Sequence, residues 1–331
     1  MRFDAVYYEP DSLHYPLGKQ LKEQYGDLPW FPIENHNRIE EMQQQPNSRF
    51  AQLKRHLVVG VRKTHKYVEN FKISDYLVPY TSSGCTAMCL YCYLVCHYNK
   101  CAYLRLFVNR EQMLDRLIAA SQKAPRPMTY EIGSNSDLVL ENQVTGNLTW
   151  TIPAFAEKGR GFLTFPTKFA DVGPLLGLRH EGKTIFRMSV NPQPVISHIE
   201  LGTAPLEQRM EALNQMRRAG YPCGILIAPV ILTDGWEAPY GELIEYLADT
   251  LEPETKRGLT VEIILMTYSY VHRAINSEAF PQAPDLYDKE RMTVRGRGKY
   301  GYRNEERKRA EAFLRAQLAD KLSEATIVYV C

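Results

Sequence analysis

The 331-residue sequence has no apolar run long enough to span a membrane, and residues 1–4 do not begin a signal-peptide pattern. It contains no internal repeat and no low-complexity segment. Its 40 Lys and Arg nearly balance its 38 Asp and Glu, so the overall charge does not indicate a partner. The seven cysteines do not suit a disulfide framework, because five of them fall within 17 residues. We therefore expect a cytoplasmic protein with no membrane partner and with a metal site in place of disulfides.

The cysteine cluster begins in residues 83–93, which read Ser-Gly-Cys-Thr-Ala-Met-Cys-Leu-Tyr-Cys-Tyr. Cys85, Cys89 and Cys92 are spaced C-x3-C-x2-C, just after a predicted buried strand. Thiolates are the ligands that iron–sulfur clusters and zinc prefer. Three thiolates leave one iron of a four-iron cluster open, whereas a structural zinc ion needs a fourth ligand. That ligand could be Cys96, Cys101, His97 or one of the two other cysteines, Cys223 and Cys331. Counting ligands therefore leaves cluster and zinc both open.

From residue 75 onward, strand and helix patterns alternate. The predicted strands are 76–81, 128–133, 161–166, 184–190, 223–231 and 260–267, and the clearest helices are 110–122, 205–219 and 240–251. Near-continuous apolar strands separated by helices indicate a parallel sheet covered by helices. Six such units predict an α/β fold, a partial (β/α)6 TIM-type barrel, whose chemistry lies at the carboxyl ends of the strands. The cysteine loop leaves the first strand at that end.

The remaining segments are predicted as extensions of this barrel. Residues 1–73 form an N-terminal extension, in which 1–50 is mostly loop with a helix within 11–25, and a strand follows at 57–61. Residues 74–270 form the barrel. Residues 271–331 form a C-terminal extension with a hairpin at 285–303, a helix at 305–322 and a strand at 325–330. Residues 54–66 and 289–309 are rich in Lys and Arg, which fits either phosphate binding or a solvated face.

The sequence resembles the spore photoproduct lyase family of radical S-adenosylmethionine (radical SAM) enzymes. The cysteine spacing marks the superfamily, and other blocks in the same order mark the family: 8–11, 15–19, 57–64, 84–93, 167–169, 186–191, 228–229, 235–237 and 298–303. The resemblance implies a DNA repair lyase that returns a thymine dimer to two thymines through a 5′-deoxyadenosyl radical. It also implies a 4Fe-4S cluster on the three cysteines, SAM, DNA containing a thymine lesion, and an electron donor such as ferredoxin or flavodoxin. Its location would be the spore or cell interior.

The resemblance also assigns residues to roles. Tyr91, Ser136, Lys168 and Ser189 match SAM-contacting positions, and Ala228 would offer its backbone near the adenine. Tyr91 and Tyr93 match tyrosines linked to relaying a hydrogen atom. From the residues alone, the serines could instead be cap or strand hydroxyls, the lysine a surface residue and the tyrosines core aromatics.

One position departs from the family pattern. The family has a cysteine after the second strand that returns hydrogen to the product radical, and here Ser134 occupies that place. A serine O–H bond is too strong for this role, so another thiol or a different reaction is required. Cys96 is the first candidate because it stays on the cluster loop, although it could equally be a small buried apolar residue. Cys101 is second; Cys223 begins its strand at the opposite end, and Cys331 cannot be placed.

DNA contacts are predicted on the basic hairpin, where the candidates are Arg295, Arg297, Lys299 and Tyr300. They could help to flip the lesion out of the duplex or simply contact phosphates. Two alternatives to the repair lyase stay open. One is a member of the same family that acts on a different DNA lesion or nucleotide; the other is a non-catalytic iron–sulfur or zinc protein that binds nucleic acid.

Overall fold

The computed structural model describes residues 1–96, 101–296 and 298–331; the predicted DNA contact Arg297 and the alternative ligand His97 lie outside them. The strands are β1 (Ala5–Tyr8), β2 (Trp30–Pro32), β3 (His56–Gly60), β4 (Val68–Glu69), β5 (Tyr76–Leu77), β6 (Ser82–Ser83), β7 (Met88–Cys89), β8 (Arg105–Phe107), β9 (Thr129–Glu131), β10 (Phe162–Thr167), β11 (Thr184–Val190), β12 (Glu200–Leu201), β13 (Cys223–Val230), β14 (Thr260–Leu265), β15 (Thr267–Ser269), β16 (Met292–Val294), β17 (Lys299–Tyr302) and β18 (Thr326–Val330). The helices are α1 (Pro16–Gln24), α2 (Glu40–Gln43), α3 (Phe50–Leu53), α4 (Arg110–Lys123), α5 (Leu138–Thr145), α6 (Asn147–Lys158), α7 (Gln193–His198), α8 (Leu206–Arg218), α9 (Glu237–Thr250), α10 (Pro253–Lys256), α11 (Tyr270–Ala279) and α12 (Asn304–Lys321). Within the described residues, no helix is both long and apolar enough to cross a membrane.

The larger sheet has eight strands in the order β18-β14-β13-β11-β10-β9-β5-β4. Its strands from β5 to β18 run parallel, and β4 pairs antiparallel at one edge. The strands in the middle are buried on both faces, which explains their near-continuous apolar sequences. The sheet curls into a half-barrel, so the predicted partial barrel is confirmed.

The interior of the half-barrel carries a layer of polar side chains. Arg187 on β11 donates to Glu262 of β14 at 2.8 Å, to Glu131 of β9 at 2.7 Å and to Thr164 of β10 at 2.8 Å. The Tyr329 hydroxyl donates to Glu262 at 2.6 Å. Arg187 is only 1% exposed, so its charge depends on these two carboxylates. Because side chains alternate along a strand, the residues two positions further on form the next layer: Gly133, Pro166, Ser189 and Ile264.

The predicted first strand, 76–81, is interrupted in the structure. Only Tyr76–Leu77 pairs in the larger sheet, and after Pro79 the chain crosses to a second sheet, where Ser82–Ser83 pairs antiparallel with β8. The cause is local, since a proline cannot donate to a sheet ladder. The apolar pattern of 76–81 therefore covers β5 and the segment that crosses between the sheets, and it ends just before β6.

The second sheet has the order β2-β1-β3-β8-β6, and its first four strands run parallel. Both faces are buried: Val6, Leu57 and Val59 pack with α1, whereas Tyr7 and Val58 face the cluster around Phe50. The prediction that residues 1–50 are mostly loop was wrong, because β1 and β2 are too short to give a clear periodic signal. Division of the chain at residues 73 and 270 stays a prediction; β4 pairs with the larger sheet, and β6 and β8 with the second.

The predicted C-terminal elements are present. Strands β16 and β17 form the hairpin, and β17 also pairs antiparallel with β15. Helix α12 packs on α9, where the rings of Trp236 and Phe313 meet at 5.2 Å. The last strand, β18, joins the edge of the larger sheet beside β14. Lys72 then reaches from the opposite edge, with its ammonium 3.1 Å from the Cys331 sulfur.

Candidate active site

A cavity of about 350 Å³ opens at the carboxyl ends of the strands of the half-barrel. Its wall combines the cysteine loop with strand ends, and it includes most of the predicted site residues: Cys85, Cys89, Tyr91, Cys92, Tyr93, Ser136, Lys168, Ser189 and Ala228. This is the face at which barrels of parallel strands carry their chemistry. The cavity thus brings together residues that lie up to 143 positions apart, from Cys85 to Ala228. We call it the catalytic cavity.

Cys85, Cys89 and Cys92 all line the catalytic cavity as free thiols. Burial raises the pKa of the Cys85 thiol to about 12 and raises that of Cys89 as well. A buried thiol of this kind stays protonated in water at neutral pH, and a bound cation would be needed to hold the thiolate. Among the residues that the structure describes, no three His, Cys, Asp or Glu side chains could hold a single metal ion. Three thiols around a shared cavity fit an iron–sulfur cluster, which takes cysteine ligands at separate corners.

Several buried contacts hold the cysteine loop in place. Lys54, only 3% exposed, donates through Nζ to the carbonyl of Cys85 at 2.8 Å. On the other side, α11 supplies Asn276, which donates to the Leu90 carbonyl at 2.8 Å. His272 Nε2 lies 3.1 Å from the Cys92 carbonyl. The loop therefore takes its shape from the N-terminal stretch and from α11, a helix that the sequence analysis did not predict.

Glu200, a fully buried carboxylate, lies behind the cavity wall and binds two of its residues, Lys168 and Tyr91. Oε1 accepts from Lys168 at 2.9 Å, from Asn191 at 2.8 Å and from the Tyr91 hydroxyl, and Oε2 accepts from Arg209 at 2.7 Å. Burial alone would raise the pKa of Glu200, but Lys168 and Arg209 outweigh it and hold the pKa at about 2. Glu200 is therefore ionised at neutral pH, and it fixes the positions of Lys168 and Tyr91 together.

Lys168, Ser189 and Ala228 form one hydrogen-bonded group on the wall. Lys168 Nζ donates to Ser189 Oγ at 2.5 Å and to the Ala228 carbonyl at 2.8 Å. The Ser189 hydroxyl also donates to the Ala228 carbonyl, at 3.0 Å. These residues end β10, β11 and β13, so strand register alone brings them together. A surface role for Lys168 is inconsistent with this placement.

Ser136 and Asp137 lie on the loop between β9 and α5. The Ser136 hydroxyl donates to the Gly84 carbonyl at 2.9 Å and accepts from Ser82 at 2.7 Å, so it ties this loop to the cysteine loop. Asp137 caps α5, accepting from Leu140 N at 3.2 Å, and also accepts from Lys168 N at 2.9 Å. Burial raises the pKa of Asp137 in spite of these hydrogen bonds.

Known proteins are similar to this chain in sequence and in fold. The family model described as spore photoproduct lyase matches residues 1–331. This chain belongs to the spore photoproduct lyase family. It is 32% identical to the spore photoproduct lyase of Bacillus subtilis (strain 168) over 332 residues, which is 98% of this chain and 97% of that protein. It is 34% identical to that of Geobacillus sp. (strain Y412MC61) over 336 residues, again 98% and 97%.

Solved structures of spore photoproduct lyase have the same fold. A complex with dinucleoside spore photoproduct has a TM-score of 0.91 at 31% identity and matches 99% of each chain. A double mutant with bound AdoMet (SAM) and dinucleoside spore photoproduct has a TM-score of 0.92 at 31% identity, again over 99% of each chain. The resemblance read from the sequence blocks is therefore confirmed at the level of the family and of the fold.

The two tyrosines predicted for this family occupy different surroundings. Tyr91 is half-buried, and its hydroxyl donates to Glu200. Tyr93 is 48% exposed, and its hydroxyl donates to the backbone carbonyl of Ser134. Ser134 itself lines the catalytic cavity. The position at which the resemblance predicts the family's hydrogen donor is therefore on the cavity wall and in contact with Tyr93, although it carries a serine.

The remaining thiols lie away from this wall. Cys96 is not among the described residues that line the catalytic cavity; its sulfur lies 3.3 Å from Ser269 Oγ and 3.6 Å from His272 Nε2. Cys101 is buried, with its thiol 3.7 Å from the Phe50 carbonyl. Cys223 is buried at the start of β13, as predicted. Cys331 follows β18, and its backbone N–H donates to the Ile263 carbonyl at 3.0 Å.

The predicted DNA contacts lie on β17 and just before it. Lys299 is exposed, whereas Arg295 donates to the Tyr302 carbonyl and to Asn304, each at 2.8 Å. The ring of Tyr300 meets that of Tyr287 at 4.7 Å. Strand β15, which pairs with β17, begins at Thr267 on the wall of the catalytic cavity. One strand therefore separates the hairpin from the site.

Sequence reasoning missed Glu200, Arg209 and Asp137. Glu200 lies between an isoleucine and a leucine, Ile199 and Leu201, and a charged residue in an apolar stretch was the available signal. Arg209 had no comparable signal, because its helix reads as an ordinary amphipathic helix with a polar face. Asp137 could have been identified as a helix N-cap, since it directly precedes an apolar helical stretch.

Proposed function

We propose that this protein is a radical SAM lyase that repairs spore photoproduct in DNA, returning it to two thymines. The observation that carries the proposal is the catalytic cavity, in which three free thiols lie at the carboxyl ends of parallel strands together with Lys168, which pairs with the buried Glu200. The structural relatives that match over nearly their whole length include complexes with AdoMet and with dinucleoside spore photoproduct. A cytoplasmic location and an electron donor such as ferredoxin or flavodoxin belong to the same proposal.

The residues for the cofactors are those of the cavity wall. Cys85, Cys89 and Cys92 would hold the 4Fe-4S cluster. SAM would be held by the remaining predicted contacts: Tyr91, Ser136, Lys168, Ser189 and Ala228. When bound, the cluster and SAM supply the radical chemistry, which no side chain of the protein can provide. The protein's task is to bind, orient and exclude water. The ionised Glu200 keeps the Lys168 ammonium on the wall, and the Ser82–Ser136–Gly84 hydrogen bonds hold the loop beside the cysteines.

The test is product analysis under anaerobic conditions with reconstituted protein, synthetic dinucleoside spore photoproduct and isotopically labelled SAM. Formation of repaired thymine that depends on SAM supports the proposal. SAM cleavage without conversion of this lesion would favour a family member acting on a different lesion or nucleotide, which Ser134 at the donor position makes a specific alternative. Protein that takes up metal but never cleaves SAM would be a non-catalytic nucleic-acid-binding protein.

Cys96 is proposed as the group that returns hydrogen to the product. We expect Cys96→Ala to keep SAM cleavage while repaired thymine falls and by-products rise. The variant lacks the proposed hydrogen-donating thiol, which lies next to Ser269 and His272. Chromatography of the products measures the ratio, and Cys101→Ala is the matched control. An unchanged yield of repaired thymine in Cys96→Ala would remove Cys96 from the reaction and leave the phenols, Tyr91 and Tyr93, as the candidates on the cavity wall.

The hairpin is proposed to contact DNA through Arg295, Lys299 and Tyr300. Since Arg295 and Tyr300 also make contacts within the protein, the exposed Lys299 is the residue to change. Lys299→Gln is expected to lower the slope of log affinity against log salt by about 1, the effect of one lost phosphate contact. Fluorescence anisotropy with a labelled oligonucleotide measures this slope. Lys321→Gln, on the exposed end of α12, is the control; equal slopes in both variants would speak against the hairpin.

A further inference from the structure

A second cavity, of about 190 Å³, lies at the carboxyl ends of the parallel strands of the second sheet. We call it the N-terminal cavity. Glu9 follows β1, Asn35 and Asn37 follow β2, and residues 62–64 follow β3; all of them line it. None of its described lining residues also lines the catalytic cavity. In open sheets of parallel strands, ligands bind at this end, in the crevice between strand ends.

Ser83 on β6 contributes an unusual hydroxyl to this cavity. The residue is 2% exposed, and among the described residues its Oγ has no hydrogen-bond partner. The neighbouring Ser82, whose side chain alternates to the other face of the strand, is hydrogen-bonded to Ser136 and Glu141. A buried hydroxyl without a partner costs free energy that a bound polar ligand recovers. Ser83 therefore indicates a ligand with hydrogen-bonding oxygens.

The charges around the cavity favour an anion. Arg62 places its guanidinium over the ring of Phe107 at 3.8 Å and donates through Nε to the Tyr80 carbonyl at 2.8 Å, so its planar group is held in one orientation. Arg105, also on the wall, donates to Asn37 Oδ1 at 3.1 Å. Lys63 is exposed at the rim. Guanidinium groups with fixed geometry are the side chains best suited to phosphate.

The acidic groups in the cavity, Glu9 and Glu34, reduce its positive charge but do not outnumber Arg62, Lys63 and Arg105. Glu9 accepts hydrogen bonds from the backbone N–H of His36 at 3.0 Å and of Val61 at 2.8 Å, and its Oε1 also lies 2.8 Å from His36 Nδ1. Its carboxylate is therefore satisfied by the protein, and Glu34 is exposed. A cation has less support, since no three His, Cys, Asp or Glu side chains in the described ranges could hold one.

We propose that the N-terminal cavity binds a phosphate group through Arg62, Lys63, Ser83 and Arg105. Its volume is below the range of about 300–1,000 Å³ for pockets of drug-sized ligands, which suits a single small anion. The phosphate could come from the DNA backbone beside the lesion or from a free phosphate compound. The first source rests on the proposed function. A DNA phosphate bound there would anchor the DNA strand on the face of β6 opposite Ser82, while the lesion occupies the catalytic cavity.

The test uses the full-length reconstituted enzyme and inorganic phosphate as the probe, with binding measured by isothermal titration calorimetry. Wild type is expected to bind phosphate, and Lys63→Gln to bind it about tenfold more weakly, as expected for one charged hydrogen bond. Ser83→Ala is expected to weaken binding without lowering thermal stability, because it deletes a hydroxyl that lacks a partner in the described protein. Lys66→Gln, exposed in the same basic stretch but not on the described cavity wall, is the control.

A second measurement distinguishes the two sources. If the site takes a DNA phosphate, Lys63→Gln also lowers the salt slope of binding to an undamaged single-stranded oligonucleotide by about 0.7. If it takes a free compound, Lys63→Gln leaves oligonucleotide binding unchanged while phosphate binding is weakened. The proposal would be overturned if the wild type bound no phosphate and Lys63→Gln left oligonucleotide binding unchanged. Equal losses of binding in Lys63→Gln and Lys66→Gln would overturn it as well. Failure of the proposed function would show separately, as wild-type enzyme that leaves the dinucleoside lesion intact.

Discussion

Cys89→Ser is expected to remove iron and lyase activity together. The thiol of Cys89 lines the catalytic cavity with those of Cys85 and Cys92, and three ligands are the minimum that hold a four-iron cluster with one iron open. Cys89 on β7 also pairs in register with Glu200 on β12, so the substitution removes a thiol that lies beside the Glu200 network. Iron and sulfide analysis after anaerobic reconstitution, followed by turnover of the dinucleoside lesion, measures both losses.

Cys331→Ser is the matched control for that variant. Its thiol lies at the edge of the larger sheet against Lys72 and is not among the described residues that line the catalytic cavity. The control is therefore expected to keep its iron and sulfide. Full iron content in Cys89→Ser would contradict the proposed ligand set, whereas equal loss of iron in both variants would indicate general damage to the fold.

Glu200→Gln is expected to be the most destabilising single change at the site. Glu200 and Arg209 are both fully buried, and the neutral amide would leave the Arg209 guanidinium and the Lys168 ammonium without their shared counter-charge. Breaking a buried ion pair by removing one partner costs about 3–5 kcal/mol. Urea unfolding of Glu200→Gln against wild type measures this cost. Glu207→Gln, on the exposed face of α8, is the control and is expected to change stability by less than about 0.5 kcal/mol.

The same carboxylate predicts a pH dependence. Its pKa falls from an ordinary 4.5 to about 2 in the folded protein, so the unfolded chain binds its proton more readily. Glu200 therefore contributes stability above about pH 4.5 that is lost as the pH falls toward 2. The lowering corresponds to about 3 kcal/mol, at 1.36 kcal/mol per unit. The free energy of unfolding of the wild type should lose this increment on acidification, and that of Glu200→Gln should not. Parallel curves of unfolding free energy against pH would show that Glu200 is not held ionised.

Much of the barrel could be predicted from the sequence because its strands are buried on both faces. Residues 184–190 and 223–230 form apolar runs bounded by turns, and the predicted bounds differ from β11 and β13 by at most one residue. The second sheet could not be predicted in the same way. Its strands β1 and β2 have only three or four residues, and β6 and β8, which pair with each other, have only two and three. Short strands become recognisable only when their partners are known.

The candidate site, like the fold, could be predicted only in part from the sequence. Cysteine spacing identified three thiols that do share one cavity, because local sequence places all of them on one loop. The Glu200 network depends on tertiary structure: Lys168, Asn191 and Arg209 come from separate elements and meet only after the half-barrel has folded. Family resemblance supplied Lys168 and Ser189, but it could not show that a buried carboxylate holds them. The role of that carboxylate is visible only in the three-dimensional structure.

The Arg187 layer has a consequence for the route of the substrate. Arg187, Glu131, Thr164 and Glu262 fill the half-barrel directly beneath the residues that line the catalytic cavity. A tunnel through the barrel would have to displace these ions, at the high cost of separating buried charges. Lesion and repaired bases must therefore share an entrance at the carboxyl ends of the strands. The repaired product must then leave the cavity before another lesion can enter it.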